Sequence, residues 1–212
     1  METTIKSIGT GTTQTYTIGE KTFQSAYKKD NFVTSCIVDR SGIKNDIQVD
    51  KRFHGGIDKA IHIGSTKHFE LFQSQYANTL DPLAIGCNIF VNNFDENDIC
   101  IGDIYTIGEV KIEVTQPRQP CWKIGALFGK ETSRYISKNH ATGWYVKILQ
   151  IGTLHLMDTM ILEKRVSNIT IKELSSYLST PPKDKQLAKH ILNISALAQS
   201  YKLDFEKSLR NC

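Results

Sequence analysis

What this chain lacks narrows it before any motif is considered. It has no Cys-x-x-Cys pair, because its five cysteines (Cys36, Cys87, Cys100, Cys121 and Cys212) are odd in number and widely spaced. That removes the usual signals of structural zinc and of thioredoxin-type redox sites. No apolar run approaches the roughly 20 residues that span a bilayer, so no membrane partner is expected. No basic-then-apolar leader opens the chain. Reduced thiols in the cytoplasm are therefore the expectation. No arginine-rich run with interleaved aromatics occurs, and the net charge is only +4. A nucleic acid polymer is not expected as a ligand, whereas one phosphorylated or acidic small molecule is compatible with that charge. Internal repeats and flavin or haem motifs are also missing.

What is present is an ordinary globular composition, 212 residues with 40% hydrophobic and 23% charged side chains, enough to bury a real core. Short β-rich runs dominate up to Val166. Thr3 to Tyr27 is rich in Thr, Ile, Tyr and Phe and is punctuated by glycines. Ser35–Asp39, Lys59–Ile63, Asn88–Val91, Asp103–Ile107, Val110–Gln116, Gly143–Ile148 and Met160–Val166 also read as strands. Gly108-Glu109 between two of them predicts a type II′ hairpin. Phe69, Phe72 and Tyr76 fall at helical spacing behind a possible Ser65 cap, with Asp81-Pro82 as the break. A short helix is expected over Glu131–Lys138. Strands and helices do not alternate regularly, so a mixed, mostly antiparallel barrel is expected over residues 1–166. From residue 167 the pattern turns helical. Thr170 and Glu173 form a capping box, Asp184 caps a second helix, and Leu197, Tyr201, Phe205 and Leu209 recur every four residues. A separate three-helix domain over 167–212, used for packing or partner docking, follows from that pattern.

Four stretches carry candidate chemistry. In Thr115-Gln116-Pro117-Arg118-Gln119-Pro120-Cys121-Trp122-Lys123, two prolines stiffen the backbone around Arg118. They present one cysteine flanked by cations, which favour a thiolate; an ordinary buried thiol behind a proline corner is the plainer reading. Lys51-Arg52-Phe53-His54-Gly55-Gly56-Ile57-Asp58-Lys59 joins cations, a histidine and paired glycines. This is the make-up of an anion nest, or of a tight turn with solvated charges. Gly86-Cys87-Asn88 either orients a ligand or ties a loop. Trp144, after Gly143, either fills a packing corner or walls a flat heterocycle.

In this order, together with Ile101-Gly102-Asp103-Ile104-Tyr105 and Arg165-Val166-Ser167, these stretches resemble the MOSC domain family (the molybdenum cofactor sulfurase C-terminal type). Within it they resemble the YiiM-type proteins with a C-terminal three-helix domain. The resemblance implies a β-barrel related to the pyruvate-kinase-barrel type and a molybdenum cofactor of the molybdopterin type, with Cys121 as the protein ligand to the metal. It implies reduction of N-hydroxylated small molecules, such as hydroxylaminopurines and amidoximes, in detoxification. A separate reductase would supply the electrons. Lys51, Arg52, His54, Gly55, Gly56, Lys59, Asn88 and Arg118 are then candidates for holding the cofactor, and His54 and Asp58 for delivering protons. Pyridoxal phosphate, also linked with the family, is the less favoured cofactor. A cofactor-binding or sulfur-carrying module without turnover is the alternative function. The family commonly has Gly-Glu-Asn where this chain has Gly86-Cys87-Asn88, so a possible pocket carboxylate is missing. The sequence leaves the oligomeric state open.

Overall fold

The computed structural model describes residues 1–50, 55–76 and 85–210. Lys51, Arg52 and His54, and the helix break expected at Asp81-Pro82, lie outside them.

Seven strands close into a barrel. They are β1 (Glu2–Thr10), β7 (Ile61–Ser65), β8 (Ile89–Val91), β9 (Ile104–Ile107), β10 (Val110–Pro117), β11 (Trp144–Gln150) and β13 (Thr159–Lys164). Their order around the barrel is β13-β9-β10-β11-β7-β8-β1, and pairing of β1 with β13 completes the ring. Closure removes the open sheet edges that would otherwise invite pairing with other chains. Neighbouring strands in the ring run antiparallel except β7 and β8, which are parallel. Inside, β-branched residues alternate inward: Ile5, Ile61, Ile63, Ile89, Ile107, Ile112, Val114 and Val146 form one cluster with Tyr105 and Trp144. Gly108 takes positive φ (+53°) in the two-residue turn between Ile107 and Val110, as the hairpin requires. Outside the ring, β2 (Gln14–Ile18) and β3 (Lys21–Ser25) form a separate hairpin, β4 (Asn31–Phe32) pairs with the end of β1, β6 (Gly42–Ile43) pairs with Val38 and Asp39, and the first and third helices are α1 (Lys67–Tyr76) and α3 (Lys130–Asn139). The short strand β12 (Gly152–His155), which the sequence pattern did not reveal, pairs with β5 (Ser35–Asp39).

Two motifs far apart in sequence meet here. The Asp103 carboxylate, fully buried, accepts from Arg165 Nε at 2.9 Å and from Arg165 Nη2 at 2.7 Å, and Tyr105 Oη donates to it at 3.1 Å. This clamps the end of β13 to the barrel. Gly102, at φ +79°, lies where a Cβ would fall 2.4 Å from Val166. Both stretches therefore serve the joint leading out of the barrel.

Three helices follow that joint: α4 (Ile171–Tyr177), α5 (Lys185–Asn193) and α6 (Gln199–Arg210). The capping box at Thr170 and Glu173 and the Asp184 cap are both formed. Their apolar faces pack into a cluster of their own around Leu174, Ile191, Tyr201 and Phe205. The last of these helices begins at Gln199, so Leu197, the first of its recurring apolar residues, lies ahead of it, because Ile194–Ala198 is used to cross back to the barrel. Ala198 N donates to Thr115 O at 3.0 Å. Among the described residues no helix is long and apolar enough to cross a membrane.

Candidate functional site

The site forms where β10 leaves the barrel. Up to Val114 this strand alternates buried and half-buried residues; from Thr115 to Pro117 every residue is buried. The chain then runs through Arg118-Gln119-Pro120 and enters α2 (Trp122–Phe128), a helix not foreseen from the sequence, with Cys121 as its N-cap. The Cys121 side chain makes no capping bond. Its half-buried thiol lines a cleft of about 590 Å³.

Arg118 is 3% exposed. Its backbone N–H donates to Gly143 O at 3.1 Å. Its guanidinium lies 4.9 Å from the centre of the Tyr27 ring, a cation–π arrangement, and it hydrogen-bonds the Tyr145 side chain. Nη1 nevertheless has no hydrogen-bond partner. A buried guanidinium with an unpaired N–H is costly unless a ligand completes it. Arg118 lines a narrow pocket of about 70 Å³ together with Tyr27, His62, Gly86, Asn88, Lys123 and Tyr145. The pocket and the cleft share Asp50, Lys123 and Tyr145 as walls. Lys29, also at the pocket, is committed to Asp46 at 2.6 Å.

Behind Arg118 the floor is polar and closed. His62 Nε2 is 2.8 Å from Thr142 O, and Nδ1 is 3.2 Å from Gly86 O. Burial, then the Arg118 charge, pushes the His62 pKa down to about 3. The ring is thus neutral at pH 7, and only one of its two nitrogens donates to a facing carbonyl. Gly143 must be glycine: at φ +72° a Cβ would sit 2.3 Å from Ile63 O and 2.7 Å from His62 Nε2. The Gly143 N–H is fixed by buried Glu96, whose other carboxylate oxygen is 2.6 Å from His68 Nε2.

The expected site residues separate into groups. Arg118, Lys59, Asn88 and Cys121 come together at the pocket and cleft. Lys59 is buried, and burial lowers its pKa against the raising influence of Asp204 and Asp58. Asn88 ties strands as well as lining the pocket: Oδ1 accepts from His62 N at 3.2 Å and Nδ2 donates to Gly9 O at 3.3 Å. Gly56 has φ +102° with open space around it, but neither Gly55, Gly56 nor the Asp58 side chain lines either cavity. Asp58 contributes its backbone carbonyl, which accepts from Thr115 Oγ1 at 2.5 Å. Lys51, Arg52 and His54 lie outside the described residues. Trp144 does not wall a ligand, because strand alternation turns it into the barrel core, fully buried, while Tyr145 faces the pocket.

Cys87 sits on the floor, 3.6 Å from His62 Nε2. Burial raises its pKa well above the ordinary thiol range, only partly opposed by Arg118. As a neutral thiol it brings no charge to oppose that of Arg118, whereas a carboxylate at this position would.

Sequence reasoning did not name Tyr27 or His62 as site residues, and it gave the third C-terminal helix, α6, a packing or docking role rather than a place beside the cleft. A lone Tyr and a lone His carry no local motif. Tyr145 had a signal, the inside-outside alternation of β11 read one residue on from Trp144.

The MOSC domain matches residues 50–160, more than half of the chain. The chain belongs to the MOSC family. Among curated relatives it is 25% identical over 202 residues to the YiiM protein of Escherichia coli (strain K12), covering 93% of this chain and 89% of that one. It is also 32% identical over 118 residues to a protein named "Reductase" from Gibberella moniliformis, covering 53% of this chain and 21% of that one. The crystal structure of YiiM from Geobacillus stearothermophilus superposes with a TM-score of 0.77 at 24% identity, over 97% of this chain and 99% of that one. MOSC domains are associated with the molybdenum cofactor.

The residues present fit such a group. The half-buried Cys121 thiol, the incompletely paired buried Arg118 guanidinium, Lys59 and Lys123 converge on one pair of cavities. A soft sulfur donor suits molybdenum, and cations suit a pterin phosphate. No group of three His, Cys, Asp or Glu able to hold a metal alone occurs among the described residues. A metal held largely by its own organic ligand needs none.

Proposed function

We propose that this protein is a molybdenum-cofactor-dependent reductase of N-hydroxylated small molecules, hydroxylaminopurines and amidoximes, acting in detoxification. Cys121 is the protein ligand to the metal, and electrons come from a separate reductase. The observation that carries this reading is the pairing of a ligand-seeking buried guanidinium, Arg118 Nη1, with a cleft thiol three residues later on the same rigid turn. The homology to a protein named as a reductase supports the reaction type.

Arg118, Lys59 and Lys123 bind and orient the anionic end of the cofactor. Tyr27 and Tyr145 hold the Arg118 guanidinium so that little reorganisation is needed on binding. Asn88 and neutral His62 fix the pocket floor. When bound, the cofactor supplies the two-electron chemistry, and the net change is R–NHOH + 2 e⁻ + 2 H⁺ → R–NH₂ + H₂O. His54 is our candidate for delivering protons.

Protein produced in a cofactor-competent host, given an electron donor, is expected to reduce 6-hydroxylaminopurine or benzamidoxime, and Cys121→Ala is expected to abolish this. Full activity in Cys121→Ala removes Cys121 from the mechanism. Molybdenum bound at one per chain with no reduction of either compound points instead to a cofactor-binding or sulfur-carrying module. A Schiff-base absorbance would indicate pyridoxal phosphate.

A further inference from the structure

The three-helix segment reads from sequence as an appendage. The structure joins its last helix to the turn that presents Cys121. Three hydrogen bonds run in register from the start of α6 along that turn. Ala198 N donates to Thr115 O at 3.0 Å, Ser200 Oγ to Gln116 Oε1 at 3.0 Å, and Gln119 Nε2 to Asp204 Oδ2 at 3.1 Å. Ser200 and Asp204 are four residues apart, hence on one helix face. Between them Leu203 lies 48% exposed, an apolar side chain with no core to fill, and it lines the Cys121 cleft together with Lys207. On the barrel side the cleft is lined by Trp122, 57% exposed, whose ring packs edge-on against Phe23 at 4.8 Å. The cleft therefore has one wall from the barrel and one from α6.

We propose that helix α6 is the specificity wall of the Cys121 cleft. Leu203 sets the width available to a small-molecule substrate, and Ser200 and Asp204 are positioning residues that hold the Gln116–Gln119 run against the helix. The proposal rests on the reading of the cleft as the substrate site, but its geometry is testable without cofactor or turnover.

The test is site-resolved alkylation of Cys121 in cofactor-free protein, followed by mass spectrometry, with a small reagent (iodoacetamide) and a bulky one (a pyrenyl maleimide). Cys36, which lines a different cavity, is the internal reference. Leu203→Trp, at an exposed position, is expected to slow the bulky reagent at Cys121 by about fivefold while the small one changes by less than about twofold. Ser200→Ala/Asp204→Ala is expected to speed the bulky reagent by about threefold, with Cys36 unchanged. Asp204→Asn keeps an acceptor for Gln119 and is expected to restore the wild-type rate. An unchanged ratio of the two reagents in Leu203→Trp, with normal thermal unfolding, overturns the wall. Wild-type rates in the double variant overturn the positioning roles. If the wall is upheld and molybdenum never binds, only the proposed reaction fails.

Discussion

Cys87 and Cys121 flank the same arginine, and the protein treats them in opposite ways. Cys87 lies on the closed floor with its sulfur against Gly64, where a Cβ would be 2.4 Å from it, and burial holds it protonated. Cys121 caps a helix without using its side chain and opens into the cleft. Identical chemistry becomes a packing unit in one place and a candidate ligand in the other. Accessibility decides the difference, since a thiol excluded from solvent and metal cannot ionise or coordinate.

That contrast can be tested at several strengths. The largest effect is expected in thiol reactivity: iodoacetamide should modify Cys121 about a hundredfold faster than Cys87 in the native protein, and comparable rates would show that the floor opens. Next comes charge. Cys87→Glu places a carboxylate beside Arg118, and the affinity of the pocket for inorganic phosphate, measured by calorimetry, should fall about tenfold. Unchanged affinity would mean that Arg118 does not receive the anion. A third test concerns the floor itself. The His62 pKa is about 3 folded, against an ordinary 6.5. Because the folded value is depressed, the unfolded chain takes up a proton first as pH falls. Stability should be fully present above about pH 6.5 and decline towards pH 3 by at most about 1.4 kcal/mol per pH unit. Denaturant titrations across that range should show the decline in the wild type and a shallower one in His62→Gln. Equal slopes would remove His62 from the acid response.

The barrel was legible because its strands carry period-2 patterns bounded by glycine, and the helical end because Thr170, Glu173 and Asp184 are local caps. The helix Trp122–Phe128 was not legible. Its seven residues hold a glycine and give no full amphipathic repeat, and its position comes from the turn before it. The candidate site was legible in its contiguous pieces, the Pro117–Cys121 turn, and in Lys59 and Asn88. His62 and Asp204 are brought in by β7 and α6 across separations no local pattern encodes. Trp144 shows the converse, a conspicuous residue whose strand alternation sends it to the core while its quieter neighbour Tyr145 faces the pocket.

The central claim is that the Cys121 sulfur binds the metal. Molybdenum-edge X-ray absorption of cofactor-loaded wild type and Cys121→Ser addresses it most directly. The account predicts one fewer sulfur in the molybdenum shell of the variant; the same sulfur count in both proteins would contradict it.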